Sequence, residues 1–226
     1  MAATARVLRA WVVWGVVSVG MVGYAALAHI AAHTVVTKVQ LKPGNSVEVE
    51  LFRVSGDTLW FRLFFRTKGV VQRPELGSWA YIEKDGFLEL RPGANVRIVA
   101  SVPDSPPVEY EAMPLSGFGR DFNERRMTAN LSVRPGVYRW PPPPSTPSVH
   151  LHAGFNTVRF EVTSVDEPIV DETVDLDVPS PLGFKSSETS VAWLWFGLMW
   201  PVLVCVQVIW AACLVVYGLQ YRKSVS

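Results

Sequence analysis

Residues 10–32 and 191–219 carry no Asp, Glu, Lys or Arg, and both runs are dense in Val, Ala, Trp and other apolar residues. A bilayer crossing needs about 20 predominantly apolar residues in helical form, so each run is long enough to span. Two such runs at opposite ends of the chain leave the sequence between them to fold as one domain tethered at both sides. Only 18% of the 226 residues are charged, against about a quarter in ordinary soluble domains. The formal net charge of +1 lacks the basic footprint of a DNA or RNA binder, so no nucleic-acid partner is expected.

Trp193, Trp195 and Trp200 open the second run, and Tyr217 and Tyr221 lie at its far end. Amphipathic rings at both ends match the aromatic belts found at headgroup level. Arg6 and Arg9 precede the first run, and Arg222 and Lys223 follow the second. Positive flanks favour the cytoplasmic face. Every acidic residue, from Glu48 to Glu188, falls in the middle. The expected organisation is a cytoplasmic N-terminus (1–9), a transmembrane helix (10–32), an extracytoplasmic domain (33–190), a second transmembrane helix (191–219) and a cytoplasmic tail (220–226). The protein then sits in an inner or plasma membrane, with its middle domain periplasmic, luminal or extracellular.

The first run also reads as a signal peptide, with a basic start, an apolar core and Ala26-Leu27-Ala28 as an A-x-A cleavage site. Cleavage there makes His29 the new N-terminus. The length of the apolar run favours an uncleaved anchor. Within the runs, Gly15, Ser18, Gly20 and Gly23 offer a small-residue surface without a GxxxG motif, and Gln207 places an amide near the middle of the second. These are the residue types that pack membrane helices together, so Gly15, Gly20, Gly23 and Gln207 are the candidate helix-packing residues. Pro201 is expected to kink the outer third of its span. Neither run holds an acid or a basic side chain other than His29, so proton relays lack their usual residues.

From Val35 onward the hydropathy alternates with a period of two, cleanly at residues 46–51, 157–162 and 173–178. Each segment reads as a strand with one buried and one wet face. The more apolar runs at 59–65 and 96–102 read as central or fully covered strands. Turn signals separate them: Lys-Pro-Gly-Asn at 42–45, Lys-Asp-Gly at 84–86, Arg-Pro-Gly at 91–93 and 134–136. The predicted fold is an all-β extracytoplasmic domain, an immunoglobulin-like or jelly-roll antiparallel sandwich, flanked by two transmembrane α-helices. Both cysteines, Cys205 and Cys213, lie in the second run, so this domain has no disulfide and rests on its core alone.

Two proline-rich stretches, 103–114 and 141–147, cannot supply ladder donors and read as rigid loops or edge covers. Residues 116–127, with Arg120, Arg125 and Arg126 among Phe118 and Phe122, read as a short helix or, more plainly, a solvated loop. The acid-rich end of the domain places Asp175 and Asp177 on one strand face, read as a hydrated face.

The only constellation with metal-site spacing is His150-Leu151-His152, whose imidazoles project from one face if the segment is a strand. A copper or zinc site normally needs a third ligand. His29 is the candidate, above all if cleavage exposes its amine. His150, His152 and His29 are therefore the candidate metal ligands, with copper the metal and no other cofactor indicated. No GxSxG, HExxH, CxxC, Walker or GxGxxG motif occurs, and no enzyme is expected. The leading expectation is a membrane accessory or scaffold subunit whose β-sandwich binds a membrane-protein partner or a second copy of the chain. The alternatives are copper binding or metal sensing through the His150/His152 pair, and glycan or lipid recognition through Trp60, Trp79 and Trp140.

Overall fold

A computed structural model describes residues 2–68, 73–103, 105–182 and 191–225. The chain divides into two compact units, Met1–His33 with Pro181–Ser226, and Thr34–Ser180. Residues 183–190, the expected end of the middle domain, lie outside the described residues.

The helical unit contains α1 (Ala2–Ala31), a 3-10 helix (Ala192–Met199) and α2 (Trp200–Val225). The stretches Ala5–Ala31 and Ala192–Gln220 are long and apolar enough to cross a membrane. Both are apolar all round rather than on one stripe, the pattern of a membrane-spanning or a fully buried helix. The kink expected at Pro201 is not a bend within a continuous helix. Pro201 is the second residue of α2, in the first turn, where no intrahelical donor is required and its fixed φ suits helix entry. The chain approaches it as the 3-10 helix, which packs on α1. A Cβ on Gly197 would lie 2.5 Å from the Ala28 Cβ and 3.1 Å from the Tyr24 carbonyl oxygen, so only glycine fits that approach. The Tyr24 hydroxyl donates to the Trp193 carbonyl, and Ala28, Val191 and Leu194 are fully buried.

The second unit is built of antiparallel strands. In chain order they are β1 (Val35–Gln40), β2 (Ser46–Arg53), β3 (Asp57–Thr58), β4 (Arg62–Arg66) and β5 (Ser78–Lys84). Next come β6 (Phe87–Arg91), β7 (Val96–Ser101), β8 (Val108–Ala112), β9 (Gly117–Phe118) and β10 (Phe122–Thr128). The last are β11 (Val137–Arg139), β12 (His150–Leu151), β13 (Gly154–Val165) and β14 (Thr173–Val178). The main sheet runs β1-β14-β4-β10-β8-β7-β13-β2, with β9 attached to β10. Two small sheets accompany it, β11-β6-β5 and β12-β3. β10 joins the two halves of the path: its residues 122–126 pair with β4, while Met127 and Thr128 pair with β8.

The alternating segments sit where the period placed them, in β2, β13 and β14, with Val49, Leu51, Val158, Phe160, Val162, Val174, Leu176 and Val178 in one core. Phe61 stands edge-on to both Tyr110 and Phe160, at 5.0 and 4.8 Å between ring centroids, tying the two halves of the sheet together through that core. The two apolar runs are interior strands, but neither is covered on both faces. Leu59, Phe61, Leu63 and Phe65 are buried, while Trp60, Arg62 and Phe64 between them are only partly covered.

Residues 116–127 form β9 and β10, not a helix or a solvated loop. The inward positions of β10 are Asn123, Arg125 and Met127. Polar side chains thus occupy core sites, which hides the period of two from a hydropathy reading. Arg125 is 1% exposed and bonds three main-chain carbonyls, from Nε to Met113 (2.8 Å), Nη1 to Ala94 (2.6 Å) and Nη2 to Ala112 (2.7 Å). A buried cation is tolerable only with its donors used in this way. The acidic face of β14 is likewise not simply hydrated: Asp175 pairs with Arg66 (2.8 Å), and Asp177, itself buried, pairs with Arg62.

Candidate binding groove

The groove is assembled from three separate pieces of chain in the β unit. Residues 73–79 enter β5, residues 91 and 92 leave β6, and residues 115–118 enter β9. Their main chains meet closely. Gly77 has φ +78°, and a Cβ there would sit 2.6 Å from the Arg91 carbonyl oxygen and 2.7 Å from the Gly93 nitrogen. A Cβ on Gly93 would meet the Leu76 carbonyl carbon at 2.3 Å. The Ala94 N–H donates to Glu75 O (2.7 Å) and the Leu115 N–H to Leu76 O (3.0 Å), closing the floor.

Arg73 fixes one wall. Its guanidinium binds Glu172 through both Nη1 (2.6 Å) and Nη2 (2.9 Å), binds Glu75 through Nε, and lies 5.6 Å from the centroid of Phe65. The Glu172 hydrogen bond pushes its pKa above the ordinary value against the effect of burial, and Glu75 adds to the rise. Burial works to raise the Glu75 pKa, but the hydrogen bond from Arg73, with one from the main chain, holds it below the ordinary value.

The cavity measures about 860 Å³. Two aromatic side chains stand open in it, Trp79 at 39% exposure and Phe118 at 59%. Among the described residues its lining contains no Asp, Glu, Asn or Gln. Arg73 is neutralised by its two glutamates, whereas Arg91 is exposed and makes no ion pair among the described residues. β5 is the outer strand of its sheet. Across the groove, Gly119 donates its N–H to Phe122 O (2.8 Å) and Phe118 stands opposite Asn123. Bonded and non-bonded pairs alternate in an antiparallel ladder, so the Phe118 N–H and C=O point away from β10.

A smaller polar cavity of about 340 Å³ lies beside Arg125, Glu111 and Tyr138. Glu111 accepts from the Ser132 hydroxyl (2.6 Å), the Tyr138 hydroxyl (3.2 Å) and Arg97 (3.4 Å). This network joins β11 to β8, and among the described residues its cavity lining holds no histidine or cysteine.

The sequence-derived candidates are distributed as follows. His150 lies on β12 and His152 just after it, both exposed; His150 Nε2 is 3.2 Å from the Ser148 hydroxyl. His29 belongs to the helical unit. Among the described residues, no group of three or more His, Cys, Asp or Glu is close enough to hold a metal ion. Gln207 is 9% exposed at the contact of α1 and α2, while a Cβ on Gly15, Gly20 or Gly23 would meet nothing within 4 Å. Trp79 and Trp140 are half-exposed and Trp60 is partly covered under Arg62. Arg73, Arg91 and Phe118 were not singled out as a group by sequence. The signals they do carry are Pro74 and Gly77 before β5 and the Arg-Pro-Gly turn at 91–93.

No protein-family model, curated protein or solved structure matches this chain.

Proposed function

We propose that this chain is a non-enzymatic accessory or scaffold subunit of a membrane assembly, anchored by two spans, whose extracytoplasmic immunoglobulin-like β domain binds a protein partner in the groove between β5 and β9. The observation that carries the reading is the groove itself: a roomy cleft between the start of β5, the end of β6 and β9, with two open aromatic rings in it. Tyr81 and Ile82, at 56% and 65% exposure, leave apolar side chains open on the two faces of β5. The cations flanking the two spans support cytoplasmic ends and an outside domain.

Site-specific photocrosslinking in intact cells tests this. A crosslinker in place of Phe118 is expected to trap a discrete partner band, which is lost with Trp79→Ala, while one in place of Phe155, an 86% exposed aromatic on β13, traps none. A protein that migrates as a lone monomer in several mild detergents and yields no crosslink at position 118 overturns the proposal.

A further inference from the structure

Resting on the reading of the groove as a partner site, we infer that its occupant is an extended segment of the partner chain that carries one acidic side chain between apolar ones, laid in the groove between the start of β5 and β9.

The shape argues for an extended segment. The two open rings, Trp79 and Phe118, stand on separate pieces of chain on the two sides of the groove, so a segment that touches both lies stretched across it. An extended segment draws affinity from main-chain hydrogen bonds and specificity from alternate side chains. The Phe118 N–H and C=O, turned away from β10, offer a main-chain contact on the β9 wall.

The chemistry of the lining selects the side chains. Trp79 and Phe118 provide apolar, aromatic contact on the two sides. Sugars are held by carboxylates and amides that take their hydroxyls. Among its described residues the groove has neither, which favours a peptide over a glycan. Charge supplies the last element. Arg73 is spent on Glu172 and Glu75, so Arg91 is the lining cation that lacks an ion pair among the described residues, and no lining acid opposes an incoming carboxylate. An arginine bonds a carboxylate through two parallel N–H donors, which fixes register as well as adding attraction.

The test is selection of a random heptapeptide library, displayed on phage, against the full-length chain in nanodiscs. Enriched peptides are expected to share an Asp or Glu flanked by apolar residues. Arg91→Glu is expected to lower their retention about tenfold and to enrich Lys- or Arg-bearing peptides instead, the signature of a charge pair reversed. Arg91→Gln, which only removes the charge, is expected to lower retention without the switch, and thermal melting of each variant confirms that it folds. Enriched peptides without an acid, or retention unchanged in both Arg91 variants but lost in Trp79→Ala/Phe118→Ala, overturn the acidic occupant and leave the groove standing. Enrichment no greater than on Trp79→Ala/Phe118→Ala overturns the occupant and the groove reading together.

Discussion

The Ser18 hydroxyl donates a hydrogen bond to the Gln207 side-chain oxygen, 3.0 Å away, joining α1 to α2. The Trp14 indole adds a bond to the Gln207 carbonyl (3.2 Å), and the Gln207 amide nitrogen points at the Met21 sulfur (2.7 Å). Within a bilayer there would be no water to take over from these partners, yet measured values for such bonds between membrane helices are modest. Gln207→Leu is expected to weaken the helix pair by about 1 kcal/mol. Unfolding in mixed micelles, compared with Ser18→Ala and the double variant, checks this. A double variant no worse than either single one identifies the bond as the shared cause.

The glycines of the helical unit separate into two kinds. Gly197→Ala is expected to cost about 1–3 kcal/mol, because the added carbon would sit 2.5 Å from the Ala28 Cβ. Gly15→Ala, Gly20→Ala and Gly23→Ala are expected to leave the stability of one chain unchanged, since each new methyl would meet open space. Loss of a dimer in any of those three, seen by native mass or crosslinking, assigns that glycine to contacts between chains.

Arg125→Met is expected to destabilise the β domain by about 3 kcal/mol or more, because three main-chain carbonyls lose their donor inside the protein. Burial lowers the Arg125 pKa to about 10, still well above neutrality, so the guanidinium is charged in the folded state at pH 7. Arg125→Lys, with three donors at a single point, cannot reproduce the fork and is expected to recover only part of the loss. Thermal melting of the three proteins gives the order.

Two phenols give the domain an alkaline signature. Burial raises the Tyr138 pKa above the ordinary phenol value, and Glu111 pushes in the same direction. Burial also raises Tyr110, against the bond it accepts from the Val149 N–H. A group whose folded pKa exceeds its unfolded one stabilises fully below the unfolded value and loses that contribution as the pH rises. The advantage of the native chain over Tyr138→Phe is therefore expected to be largest below about pH 10 and to shrink above it. Absorbance at 295 nm is expected to show Tyr138 and Tyr110 ionising above the ordinary phenol range. A Tyr138→Phe titration identical to that of the native chain contradicts the assignment.

Gly77→Ala is expected to destabilise the domain by about 1–3 kcal/mol, as a left-handed position takes a side chain with no room for it. Because Gly77 holds the floor of the groove, crosslinking through Phe118 is expected to fall in the same variant. Unchanged melting and crosslinking would falsify its placement.

How much of this was legible in sequence depends on what faces inward. At residues 173–178 the inward side chains are Val174, Leu176 and Val178, so hydropathy alone reveals the strand. At residues 122–128 the inward side chains include Asn123 and Arg125, and the same periodicity is invisible because polar residues, Arg125 held by main-chain carbonyls, take interior positions. Pro201 was visible as a break in the second span, but a proline in a first turn and a proline that bends a helix look alike until the helix start is known. The groove was harder still. Residues 73–79, 91–92 and 115–118 become neighbours only through pairing between distant strands, and none of the three pieces carries a motif of its own.

Val35 pairs with Val178, so the β unit begins and ends on neighbouring antiparallel strands. Tension applied between those two ends acts across the ladder rather than along it. The hydrogen bonds then carry load one after another, from Val35/Val178 toward Gln40/Thr173, as the teeth of a zipper do. A pair pulled lengthwise would instead share the force among all its bonds at once. Mechanically, the unit yields first at its own doorway, peeling β1 from β14 at low force while the interior strands stay joined.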